Sequence, residues 1–214
     1  MAGVDGLRRL LAGPVVPAAR GLLGCQLAAG GVTVRLTEVE AYAGVGADPA
    51  SHAHRGRTAR NAVMFGPPGY LYVYFTYGMH WCANVVCGPD GEASAVLLRG
   101  GEVVGGLATA RNRRPASRVD RDLARGPARL AAALGIDGSA NGADLLGRAG
   151  VTLAEGSPVD GARIRSGPRV GVAAGHDTPW RFWLDGEPTV TLFRPGRPAG
   201  VGMHGNRRPA RPGH

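Results

Sequence analysis

The sequence predicts a single compact α+β domain built on an antiparallel sheet flanked by helices, and three observations carry that expectation. The chain has 214 residues, 44% of them apolar, enough for one sizeable core, since a domain near this size buries about 70% of its unfolded surface. Runs of alternating or β-branched character at 32–42, 70–76, 80–87 and 93–99 are separated by Gly, Pro and Asp turn signals. Helical patterns occupy the start and the middle of the chain.

Residues 7–11 and 16–23 read as short helices, the second with Pro17 in its first turn. Strands at 25–27 and 32–42 flank Ala-Ala-Gly-Gly, a hairpin signal. Along the second strand a period of two puts Glu38, Glu40 and Tyr42 on one face. Residues 43–61 form a loop too polar to join the core, and loops of that length in a compact domain are often functional. In 70–76 the tyrosines Tyr70, Tyr72 and Tyr74 share a face, Tyr77-Gly78-Met79 makes a tight turn, and 80–87 returns as the partner strand. Helix is expected over 107–135, restarted at Pro127, and strand at 151–153, 163–173, 181–184 and 189–193. The domain is expected over residues 1–195, with 196–214 as a disordered basic tail of Pro, Gly and Arg.

Formal net charge is +9, and all 25 basic residues are Arg. A GC-rich coding genome accounts for Arg in place of Lys but not for the positive excess. That excess favours a polyanion, and nucleic acid over membrane because no strongly amphipathic basic helix is evident. Arg55, Arg57 and Arg60 in the long loop are spaced to meet a phosphate backbone. No run reaches ~18 apolar residues, and the first residues lack the apolar stretch of a signal peptide. The expected location is therefore the cytoplasm or nucleoid. Three cysteines without C-x-x-C spacing support neither a disulfide framework nor a structural zinc site.

Several groups could carry chemistry. Glu40 beside Tyr42 fits a desolvated general base, and equally an exposed strand Glu paired with an Arg, the commoner arrangement. Glu38 adds an unspecific paired-carboxylate reading. His52 and His54, with Asp48 nearby, could contribute metal ligands, but no third strong ligand cluster is visible. The four tyrosines between 70 and 77 fit either a base-stacking platform or one face of a packed sheet. A Tyr at a hairpin tip is poorly placed for a core and well placed to wedge between stacked bases.

The chain resembles the alkyladenine (3-methyladenine) DNA glycosylase family. The resemblance rests on T-E-V-E-A-Y at 37–42, R-N-A-V-M-F-G-P-P-G at 60–69, L-Y-V-Y-F-T-Y-G-M-H-W-C-A-N at 71–84, V-L-L-R at 96–99, G-P-A-R-L at 126–130, P-R-V-G-V at 168–172 and P-W-R-F-W at 179–183. It implies a curved antiparallel sheet of the formyltransferase C-terminal-domain kind and no metal or cofactor; a monomer is expected, since one flipped base needs one pocket. It also implies a monofunctional enzyme of base excision repair acting on double-stranded DNA. That enzyme flips out alkylated purines of the 3-methyladenine and 7-methylguanine type, and also hypoxanthine, and hydrolyses the N-glycosidic bond. Carried over by position, Glu40 is the general base and Arg99 positions the water. Tyr42, Tyr74 and a loop histidine enclose the base. Asn84 stands at the pocket floor, and Tyr77 with Met79 fills the gap in the duplex. Ser51-His52-Ala53 fits the histidine motif, with His54 as the alternative, because the interval from Tyr42 is one residue longer than in the vertebrate pattern. Two rivals remain from the residues alone: a non-enzymatic binding module, and a metal-dependent nuclease built on His52 and His54.

Overall fold

The frame is set by two eleven-residue strands, β2 (Val32–Tyr42) and β5 (Ala95–Gly105), which run antiparallel along each other. The structure is a computed structural model and describes residues 2–76, 78–148 and 150–196. Before β2 come helices α1 (Ala2–Leu11) and α2 (Val15–Leu22) and strand β1 (Gln26–Ala29). β1 turns into β2 through Gly30 and Gly31, whose φ values of 54° and 78° suit a two-residue hairpin turn. Between β2 and β5 lie β3 (Leu71–Thr76) and β4 (His80–Val86), an antiparallel pair, with β4 laid on β5. After β5 come α3 (Leu107–Arg113), α4 (Pro127–Leu134), β6 (Thr152–Ala154), β7 (Ile164–Gly167) and β8 (Arg181–Leu184).

The sheet order is β3-β4-β5-β2-β1-β6, with β8 also on β2 and β7 on β8. β1 pairs with the first half of β2 and β8 with its second half, so two strands share one edge. At the changeover the β2–β5 register shifts on both sides of Glu38. Bulges of this kind bend a strand and increase its twist, and the antiparallel sheet curls accordingly. Helix α4 starts at Pro127, whose missing N–H would be unpaired there anyway, and ends before Gly135 at φ 70°. It packs on β4 and β5, and the core gathers Leu7, Leu22, Leu36, Leu98 and Leu130 among others.

Several expectations shift. The 107–135 helix is split: α3 stops at Arg113 because Arg114 precedes Pro115 and leaves the helical region, at φ −125° and ψ 54°. Strand 163–173 ends at Gly167, ahead of Pro168, which has no N–H to give a ladder. Residues 189–193 form no strand; Thr191 instead turns its backbone N–H and hydroxyl onto Glu38. The 43–61 loop is not excluded from the interior: Asp48, Ser51, Ala53 and Asn61 are buried. Side chains satisfy its backbone there, with Asn61 donating to the carbonyls of His52 (2.9 Å) and Gly56 (3.0 Å). The expected tail at 196–214 lies outside the described residues apart from Gly196.

Candidate active site

The curl of β2 turns Glu40 and Tyr42 into a cleft of about 550 Å³, with β3, β4 and β5 on one side and residues 170–174 on the other. Glu40 is fully buried. Its Oε1 accepts from the Val170 N–H (2.7 Å) and lies 3.4 Å from Arg99 Nη1; its Oε2 accepts from the Tyr42 hydroxyl (2.8 Å). The exposed, Arg-paired alternative therefore fails on burial, although Arg99 is indeed its cationic neighbour. A carboxylate offers about four lone-pair sites, so this set leaves acceptor capacity on Oε2.

Glu38 does something different. It accepts from Arg99 Nε (3.0 Å), Arg181 Nε (2.7 Å), the Thr191 hydroxyl (2.8 Å) and the Thr191 N–H (2.7 Å). Glu38 does not line the cleft; these bonds tie it to Arg99, Arg181 and Thr191 behind it. Burial alone would lower the Arg99 pKa, but Glu40 and Glu38 more than offset it and hold the guanidinium above its usual range. Burial, then the charge of Glu40, pushes the Tyr42 phenol well above its usual value, which keeps it a hydrogen-bond donor to that carboxylate.

The aromatic walls come from β3 and the long loop. The Tyr74 and Tyr72 rings lie 5.5 Å apart, and the His52 imidazole stands edge-on to Tyr74 at 4.5 Å with Nδ1 3.1 Å from the Tyr72 hydroxyl. Burial raises the Tyr74 pKa, with Cys82 adding to it. His52 lines the cleft and His54 does not. Asn84, nearly buried on β4, donates its amide to the Tyr72 carbonyl (3.1 Å) and lines the cleft next to Leu97.

Partial desolvation, then the Arg60 cation, lowers the His52 pKa from its ordinary value. The folded midpoint of the ring lies below its unfolded one, so it costs nothing above pH 6.5 and costs stability as pH falls through the folded midpoint. Arg60→Ala should raise the His52 midpoint, read from ring-proton shifts against pH; an unmoved midpoint would remove Arg60 from the environment of His52.

The remaining candidates are scattered. Arg55, Arg57 and Arg60 are exposed, but Arg60 is engaged, donating to the Phe75 carbonyl (3.2 Å) with its guanidinium 5.5 Å from the Tyr74 ring centre. Arg57 lies over Phe65 at 5.9 Å. Met79 projects from the β3–β4 connection with 68% of its surface exposed. Tyr77 lies outside the described residues. Among the described residues no three His, Cys, Asp or Glu side chains cluster as metal ligands. Asp48, the nearest acid to the histidines in sequence, is instead held by Arg169. No helix among the described residues is long and apolar enough to cross a membrane.

Two contributors were missed by sequence reasoning. Val170 supplies a backbone N–H to Glu40, and Arg169 lies under the Tyr42 ring at 4.6 Å. Both fall in P-R-V-G-V at 168–172, a stretch legible as a motif but mute about roles: the Val170 backbone donor carries no side-chain signature, and the Arg169 partner Asp48 lies 121 residues away.

A sequence profile described as methylpurine-DNA glycosylase matches residues 9–188. A protein of Streptomyces avermitilis is 54% identical over 87% of this chain and 91% of its own length, and one of Nocardia farcinica is 57% identical over 83% and 86%. A Burkholderia lata protein is 52% identical over 77% and 79%. Each of the three carries the name "Putative 3-methyladenine DNA glycosylase". A profile spanning most of the chain and relatives above half identity over most of both sequences lead to one conclusion: the chain belongs to the methylpurine-DNA glycosylase family and is a DNA glycosylase.

Proposed function

We propose that this enzyme flips a damaged purine out of double-stranded DNA into the cleft and cleaves its N-glycosidic bond with a water activated by Glu40. The observation that carries the reading is the fully buried Glu40, held from three sides by Tyr42, Arg99 and Val170 at an aromatic-walled cleft. The water oxygen bonds to the sugar C1′ as the bond to the base breaks, the electron pair leaves with the base, and Glu40 takes the proton of the water. The products are a free base and an abasic site. Fixed negative charge beside the sugar also favours its developing positive charge. The basic residues of the chain are all Arg, and guanidinium does not form the Schiff base by which lysine amines attack such a carbon, in keeping with a monofunctional hydrolase.

Tyr42 and Tyr74 stack on the flipped base, with His52 completing the wall. Purines alkylated at N3 or N7 are cations and good leaving groups, and aromatic faces favour them by about 0.5–2 kcal/mol. Neutral hypoxanthine gains less from stacking and reacts more slowly. Arg99 positions the water. Tyr77 and Met79 fill the gap in the duplex, and Arg55, Arg57 and Arg60 meet its backbone. The enzyme works as a monomer, residues 1–195 form the catalytic domain, and 196–214 add a basic tail. Asn84 excludes normal guanine by bulk, since its bond to the Tyr72 carbonyl keeps it from moving aside. Asn84→Ser should therefore release guanine from undamaged DNA at several times the wild-type rate, measured as free base by chromatography; an unchanged rate would remove Asn84 as the discriminator.

The test of the function uses methylated DNA and a duplex with one hypoxanthine, each with and without chelator. Strands that stay intact until alkali is added, then break at the lesion, support the glycosylase. Direct cuts abolished by chelator would support a metal-dependent nuclease, and tight binding without product a binding module.

A further inference from the structure

We infer that the buried Arg169–Asp48 pair is a positioning device for the reaction, setting the plane of Tyr42 and the seat of Glu40 from behind the cleft; this rests on the roles proposed above for those two residues. Arg169 is 1% exposed. Its Nη1 and Nη2 each donate to one oxygen of Asp48 (2.6 and 2.8 Å), and further to the carbonyls of Ala41 (2.9 Å) and Gly175 (3.3 Å). The guanidinium carbon sits 4.6 Å from the centre of the Tyr42 ring and 5.6 Å from that of Trp180. Asp48 in turn accepts from the N–H groups of Ala43 (3.2 Å) and Ala50 (3.0 Å).

One guanidinium thus joins three segments, each of which supplies a group to the cleft. The end of β2 carries Tyr42, the 43–61 loop carries His52, and the segment after β7 carries Val170, whose N–H holds Glu40. Tyr42 lines the cleft and Arg169 does not, so Arg169 covers the face of the ring turned away from the base.

A filler role explains this poorly. Desolvation offsets much of the attraction in a buried ion pair, and apolar residues of similar volume are often as stabilising. Arg169 Nε also has no hydrogen-bond partner, a further cost. What an apolar pair cannot supply is a fixed plane: the bidentate fork aligns the guanidinium with Asp48, and its seat over the Tyr42 ring at 4.6 Å limits how that ring can tilt. Lys would keep the charge and lose the plane.

The experiment measures single-turnover excision from methylated DNA at saturating enzyme, a rate constant that does not depend on the folded fraction. Arg169→Lys, and separately the double variant Asp48→Leu with Arg169→Met, should each lower it by about tenfold to a hundredfold, the cost of misplacing groups by ångström amounts. The double variant should melt below the wild type, because it also leaves the Ala43 and Ala50 N–H groups and the Ala41 and Gly175 carbonyls without these side-chain partners, but the saturated single-turnover rate reads only folded chains. Wild-type excision by Arg169→Lys would overturn the plane-setting role, and wild-type excision by the double variant would reduce the pair to filler. A wild-type chain that releases no base overturns the underlying reading of Glu40 and Tyr42 instead.

Discussion

Glu40→Gln should lower single-turnover base excision by at least about 10³-fold while leaving affinity for damaged DNA near its wild-type value. General-base catalysis contributes roughly 10² to 10⁴-fold, and the lost carboxylate charge beside the sugar adds to that. The fold should tolerate the change. The Gln amide can turn its oxygen to the Val170 N–H and its NH₂ to the Tyr42 hydroxyl, which reverses its own proton to accept. Arg99 keeps Glu38, so no buried cation is stranded. Binding read by fluorescence anisotropy and excision read by free-base release separate the two effects. Excision within tenfold of wild type would remove Glu40 as the base.

Glu38→Ala should have the largest effect on stability, a loss of about 3–5 kcal/mol, the usual cost of removing one member of a buried ion-pair network. The reason is numerical as well as geometric. Glu38 alone neutralises Arg181 and shares Arg99 with Glu40, and it also satisfies both donors of Thr191. Without it two buried guanidiniums face one carboxylate, and Thr191 loses both its bonds to β2, while the Thr37–Thr189 hydroxyl bond remains. Urea unfolding should show the midpoint fall with little change in slope. A loss under about 1 kcal/mol, in the range of exposed ion pairs, would mean that water reaches the cluster.

Why some of this is legible in sequence and some not follows from the range of the interactions. The β1–β2 hairpin is set by two adjacent glycines, and the shared face of Tyr72 and Tyr74 by a period of two; both are local and were read correctly. Glu38 and Glu40 were also placed on one face, but their opposite fates depend on Arg181 and Thr191, about 150 residues away, and on Val170. No local pattern encodes those partners. The loop at 43–61 reads as polar and exposed because its composition is polar; Asp48 is buried only because Arg169 arrives from a distant segment to pair with it. The Ser51-His52-Ala53 motif favours His52 over His54, and in three dimensions the turn brings His52 to Tyr72 at the cleft. β5 runs on beyond Arg99 through two glycines because β2 lies beside it, an override of poor strand propensity by pairing.

The central claim is that Glu40 holds the attacking water, and its most direct test is a crystal structure of the enzyme on a duplex carrying a cationic pyrrolidine in place of the damaged nucleoside. The account predicts an ordered water within hydrogen-bond reach of both Glu40 and the pyrrolidine ring, on the Oε2 side left open by Tyr42. A water held by another group, with Glu40 out of reach of the sugar, would contradict it.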